Sequence, residues 1–394
     1  MKFPLSTLVL ASALTTALNA ADPRLTGITA ALQPALDEKE IAGAVTLVLS
    51  HEKILHVETH GFADVATQRP MTPDTMFNIM SMTKLMTATA VLMLQDEGKL
   101  NLTDPVAKFI PAFATLKTPS GRPANITLLQ ILTHVSGLGE ATAAAARDAR
   151  TLADLVPLWL AAPMQNEPGV KWRYCQSGIN TAARIVEMVS GKTFDEFLRV
   201  RLFVPLGLKH TTHYPSTDQL PFLATAYTKN KNSGALEAAP TSPPARGTRP
   251  PTGNAGLYSS AHDYARFCQM LLNGGIFDGQ RYLSPAALQL LSTSQTPSDM
   301  PTGFFQNDTY RQRGTNYGWG IGTCVLKTPH AGVAAMLSPG SYGHGGAWGT
   351  QAWIDPVRGV AYILMVQRTN FANSDASDVR RAFQQAAADA LAAK

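Results

Sequence analysis

Ser81-Met82-Thr83-Lys84 stands where a run of β-type residues gives way to an apolar helical run. Residues three apart share one face of an α-helix, so the Lys84 amine reaches the Ser81 hydroxyl from local geometry alone. In a first helical turn Ser81 would also lie among unpaired N–H groups, at the positive end of the macrodipole. Both favour negative charge on an attacking alkoxide or a tetrahedral oxyanion. The spacing by itself is not decisive, because Ser50-His51-Glu52-Lys53 repeats it. That copy falls between the strand-like runs Ala44–Leu49 and Ile54–Glu58 and reads as a hairpin turn, where the two side chains need not converge.

Working outward, Leu25–Glu38 has helical amphipathic spacing, and Gly43–Ser50 with Lys53–Phe62 reads as an antiparallel hairpin. Beyond Ser81, the helical run Leu85–Leu94 stops at Gly98, and Asp104-Pro105 supplies the N-cap and first position of the next helix. Further helical runs fall at Leu128–Leu132, Leu152–Leu160, Gly178–Val189, Phe194–Leu202 and Ala261–Leu272. Residues 228–252 hold five prolines and no periodicity, which predicts a long surface loop, either a wall of a site or a lid. Strand-like runs return at Gly318–Leu326, Thr350–Asp355 and Val360–Gln367, and an alanine-rich helix, Asp378–Leu391, closes the chain.

Sheet at both ends with helices between implies an α+β fold. An antiparallel sheet is built from both chain ends, flanked by helices, with a mainly helical domain inserted. The expected division is 22–80 and 255–394 for the sheet domain and 81–254 for the helical one.

At 394 residues and 45% hydrophobic the chain can bury a large core. Lys2, an apolar stretch with Leu8, Val9, Leu10 and Leu14, and small residues at Ala20 and Ala21 predict a signal peptide over residues 1–20. Export to the periplasm or the extracellular space follows as an expectation. No later run reaches the roughly 18 apolar residues of a membrane helix. The net charge of +5 is spread without a basic stripe, which argues against a nucleic-acid partner. Cys175, Cys268 and Cys324 are too few and too scattered for a disulfide framework or a zinc site, so buried thiols are expected and no metal or cofactor is implied.

Two further segments join Ser81 and Lys84: Pro168-Gly169-Val170-Lys171-Trp172-Arg173-Tyr174-Cys175-Gln176-Ser177-Gly178, and Gly343-His344-Gly345-Gly346-Ala347. Together with Leu132-Thr133-His134-x-Ser136-Gly137-Leu138 and Gly253-x-x-Gly256-Leu257-x-Ser259, they give nearly the whole mature chain the motif order of a known superfamily. The chain resembles the serine β-lactamases and penicillin-binding proteins, in particular class C β-lactamases, family VIII carboxylesterases and serine-type D-alanyl-D-alanine carboxypeptidases. The resemblance implies Ser81 as nucleophile, Lys84 and Tyr174 as its proton-transfer partners, and the backbone N–H groups of Ser81 and Ala347 as oxyanion hole. Gln176, His344, Gly345, Gly346 and Trp348 would then line the substrate.

The chemistry agrees with that assignment. Serine must lose its proton as it attacks, so it needs an adjacent base. A neutral Lys84 needs a pKa below the usual value of about 10.4, a tyrosinate at Tyr174 one below about 10, and either group can serve. Two departures bear on substrate. Gln176 stands where β-lactamases have Asn, and His344 where class C enzymes have Lys, so a fixed cation for a β-lactam carboxylate is absent or conditional on pH. The expected substrate is a small carboxylic ester with weak β-lactam turnover. The alternatives are a D-amino-acid peptide, or a β-lactam retained by a receptor without turnover; the oligomeric state is not legible.

Glu97-Gly98-Lys99-Leu100-Asn101 spells the class A deacylation motif, but it lies sixteen residues from Ser81, roughly 24 Å down the same helix. It reads as a helix end. His134 and Trp319 read as packing residues, Cys175 as buried, and Asp263 and Asp355 as helix-start and turn residues.

Overall fold

The computed structural model describes residues 22–302, 314–329, 335–371 and 377–392. The expected signal peptide lies outside them. Helix α1 (Gly27–Asp37) precedes the hairpin β1 (Gly43–Ser50) and β2 (Ile54–Asp64), which ends in the short β3 (Arg69–Pro70). Helices α2 (Thr83–Asp96), α3 (Leu128–Leu132), α4 (Leu152–Ala161), α5 (Gln176–Ser190) and α6 (Ala261–Leu272) form the middle. Strands β4 (Tyr317–Trp319), β5 (Cys324–Leu326), β6 (Tyr342–Gly345), β7 (Gln351–Asp355) and β8 (Val360–Met365) follow, and α7 (Asp378–Ala392) closes the described chain.

The eight strands form one antiparallel sheet in the order β4-β5-β6-β7-β8-β1-β2-β3. The two chain ends meet at its centre, where β1 pairs with β8 in the register Val45↔Met365 and Leu47↔Ile363. Alternation along β1 sends Val45, Leu47 and Leu49 into a core shared with α2 and α6. Ala44 and Val48 enter a second core with residues of α1 and α7 such as Leu32 and Phe383. Helix α2 is buried over residues 83–94, as its apolar surface on all sides requires. Among the described residues no helix is long and apolar enough to cross a membrane.

Three local expectations are corrected. Gly318–Leu326 is a hairpin of β4 and β5 rather than one strand, because Gly322 has φ +66° and Gly320 N–H closes the turn onto Thr323 O. Pro105 is extended and is itself the N-cap of the short helix Val106–Phe109, while Asp104 accepts from Asn101 N and Lys108 instead. The Pro-rich loop contains a small hairpin, Tyr227–Lys229 against Leu236–Ala238, tied to the sheet by Tyr227 N–H on Gln367 O.

Candidate active site

Ser81 sits in a 3₁₀ turn, Met80–Met82, that leads directly into α2. Met80 has φ +47°, a left-handed conformation that costs a non-glycine residue about 1–2 kcal/mol. Asn78 Oδ1 holds that bend by accepting Met80 N–H at 3.1 Å. The chain thus turns sharply out of the short strand Phe77–Asn78 and leaves Ser81 half-buried at the head of a helix that is buried over residues 83–94.

Lys84, one turn on, is fully buried. Its Nζ lies 3.1 Å from Ser81 Oγ, 2.9 Å from Gln176 Oε1 and 2.7 Å from the backbone oxygen of Asn254. Asn254 Nδ2 also donates to Gln176 Oε1, at 3.0 Å, which fixes the Gln176 amide with its oxygen toward the lysine. Gln176 is the first residue of α5.

Tyr174 stands two residues before the start of α5, and its hydroxyl donates to Ser81 Oγ at 2.9 Å. The same hydroxyl is 3.3 Å from His344 Nε2, on β6. His344 Nδ1 lies 2.6 Å from Gly345 O, a group that only accepts, so Nδ1 donates to it and Nε2 is the ring nitrogen turned toward Tyr174. Lys84 Nζ also stands 4.7 Å from the centre of the Tyr174 ring. The structure therefore links Ser81, Lys84, Tyr174, Gln176 and His344 through hydrogen bonds, from three separate stretches of chain.

Gly346 follows β6 and lies against Ile79, two residues before Ser81. A Cβ there would come within 2.1 Å of Thr350 Oγ1 and 2.5 Å of Ile79 O, so only glycine fits. Gly345 pairs with Gln351 at the end of the strand. Ala347 is exposed just beyond and Trp348 is half-buried. His134 is buried beneath Tyr174, with ring centres 4.6 Å apart, and Trp319 packs 4.9 Å from the same imidazole. Burial, followed by the neighbouring Lys84 and His344, holds the His134 pKa well below the ordinary histidine range, so it is a neutral packing group. Cys175 is buried and its thiol is pushed up by burial, which makes it unreactive. Glu97 pairs with Lys99 and Arg201 at the far end of α2.

Comparison with known proteins places this arrangement. A family model described as Beta-lactamase matches residues 28–387. The chain belongs to the β-lactamase family. Protein Rv1367c of Mycobacterium tuberculosis is 31% identical over 377 residues, covering 90% of this chain and 92% of that protein. Esterase EstB of Burkholderia gladioli is 27% identical over 365 residues, covering 85% and 88%. The solved structure of EstCE1, a hydrolase with promiscuous acyltransferase activity, superposes with a TM-score of 0.75 at 23% identity, over 92% of this chain and 99% of that one. The shared fold is that of the β-lactamases and penicillin-binding proteins.

Two contributors to this β-lactamase-family site escaped the reading of the sequence. Asn254 meets Lys84 through a backbone oxygen and Gln176 through its side chain; its only signal was its place inside the Gly253–Ser259 segment. Glu140, two residues past the Leu132–Leu138 segment, accepts from Gln176 N–H, from Ser177 N–H at 3.0 Å and from Ser177 Oγ–H at 2.7 Å. Nothing in the spacing of the chain announces that contact.

Proposed function

We propose that this chain is an exported serine esterase that works through an acyl-enzyme on Ser81. The observation that carries the reading is the row Lys84 Nζ, Ser81 Oγ, Tyr174 OH, with gaps of 3.1 and 2.9 Å. In the proposed reaction Ser81 Oγ attacks the acyl carbon as its proton passes to Lys84 or Tyr174. The bond to the leaving alcohol breaks as Tyr174 returns a proton to the departing oxygen. Water then attacks the acyl-enzyme, gives a proton to the same groups, and Ser81 leaves reprotonated. The backbone N–H groups of Ser81 and Ala347 are the proposed oxyanion hole.

The choice of a small neutral ester rests on two groups. Gln176 Oε1 is engaged by Lys84 and Asn254, which takes it away from an acyl-amide side chain of a substrate. His344 offers an imidazole whose Nε2 faces the Tyr174 hydroxyl, so a cation for a substrate carboxylate exists only when the ring is protonated. The similarity to EstB supports the same reading, and weak β-lactam hydrolysis is compatible with it. His344 also favours one second reading, a D-amino-acid peptidase in which the imidazolium holds the terminal carboxylate.

Turnover of p-nitrophenyl acetate and butyrate, set against a D-Ala-D-Ala peptide, separates the two. The esters should be hydrolysed, and Ser81→Ala should lower the rate about 10³- to 10⁶-fold. Turnover of the peptide alone would favour the peptidase. A lasting acyl adduct without turnover would make the protein a receptor. The export part of the proposal is checked by N-terminal sequencing of the secreted protein, which should begin at Ala21.

A further inference from the structure

Tyr174 and Gln176 flank a junction that has no regular structure on its N-terminal side, since residues 171–175 belong to no helix or strand. Their positions are imposed from the segment 134–140. Arg173 N–H donates to His134 O at 2.8 Å, and Cys175 N–H to His134 Nδ1 at 3.1 Å. These bonds hold the inner side of the junction. Its outer side is held by one carboxylate. Glu140 takes the N–H groups of Gln176 and Ser177 and the Ser177 hydroxyl, while Cys175 Sγ takes Gly178 N–H at 3.4 Å. The opening N–H groups of α5 are thereby satisfied from outside the helix. The residue pinned most directly, Gln176, is the one whose side chain meets Lys84.

We infer that Glu140 is a positioning residue: by clamping Gln176 and Ser177 it sets the Tyr174 hydroxyl against Ser81 and the Gln176 amide against Lys84. The inference rests on the Ser81 reading above. Glu140 is exposed and outside the row of reacting groups, so its removal leaves every one of them in the protein. Replacing the carboxylate by an amide turns one of its two acceptors into a donor, which faces either the Gln176 or the Ser177 N–H, and the junction must shift. A displacement near 1 Å at reacting groups is worth about 100-fold in rate.

The test is ester hydrolysis by Glu140→Gln and Glu140→Ala, with Thr151→Ala as control. Thr151 caps α4 through a capping box, away from the Ser81 row, so its loss weakens a helix end without moving Tyr174. Both Glu140 variants should lose about 10- to 100-fold in kcat with KM within about threefold of wild type. Thr151→Ala should lower the melting temperature and keep kcat. Should the alanine variant fail to fold, the glutamine variant, which keeps the shape, decides alone. The inference is overturned if Ser81→Ala is inactive while the folded Glu140 variants keep kcat within twofold, or if the change is confined to KM. Ser81→Ala with full activity would instead overturn the Ser81 reading itself.

Discussion

Lys84 Nζ faces two oxygens that can only accept, Gln176 Oε1 and Asn254 O, so two of its hydrogens are committed to them. What it turns toward Ser81 Oγ is a third N–H in the ammonium or a lone pair in the amine. Only the amine can take the serine proton. In the proposed reaction Tyr174 is a second exit: once its proton turns from Ser81 Oγ to His344 Nε2, its oxygen accepts one from Ser81. Tyr174→Phe keeps the ring against His134 and removes only that exit and the return of a proton to the leaving group. Its kcat should fall about 10²- to 10⁴-fold with little change in melting temperature, measured by steady-state hydrolysis of a p-nitrophenyl ester. A rate near wild type would assign both proton transfers to Lys84. The serine and lysine were legible from spacing, since one helical turn brings them together locally. Asn254 was not, because it meets the lysine through a backbone oxygen and reaches Gln176 from a loop distant in sequence.

The residue after strand β6, Gly346, packs on Ile79, which precedes the Ser81 turn, and this contact sets the distance between that turn and the strand that carries His344. Thr350 Oγ1 donates to Ile79 O at 3.2 Å, and Gly346 N–H to Thr350 O at 2.7 Å. Gly346→Ala would drive a methyl into both oxygens and push the strand end away from the Ser81 turn. We expect at least a tenfold loss of kcat in a protein that still melts cooperatively, read by ester hydrolysis and calorimetry. The long elements were legible because their apolar periods are strong, as in Ala261–Leu272, which the structure matches residue for residue. The β4–β5 hairpin was not, because its apolar run crosses the turn and only small residues such as Gly320, Gly322 and Thr323 interrupt it. The hairpin within the Pro-rich loop was hidden for a different reason: its partners, Gln367 and Thr369, lie more than a hundred residues away.

Across the whole molecule, burial holds His56, His60, His134 and His213 below their ordinary range, His213 down to about 4. The unfolded chain binds protons at these positions near pH 6.5 and the folded one does not. Their contribution to stability is therefore complete above about 6.5 and is lost as pH falls toward the folded values. For His213 alone the full loss is about 3 kcal/mol. Urea midpoints should fall between pH 7 and 4.5, and His213→Gln should flatten that slope; a midpoint independent of pH over this window would contradict it. The general architecture, one antiparallel sheet closed by both chain ends around helices, was legible because sheet-type runs occur only near the two ends. The strand order was not, since pairing between β1 and β8 spans the whole sequence. The most direct test of the central claim is intact-mass spectrometry of wild type and Ser81→Ala after brief exposure to a fluorophosphonate and to an ester. Wild type should gain one fluorophosphonate adduct on Ser81 and shed its ester adduct quickly, and Ser81→Ala should gain neither. Equal labelling of the two proteins would place the nucleophile elsewhere and contradict the account.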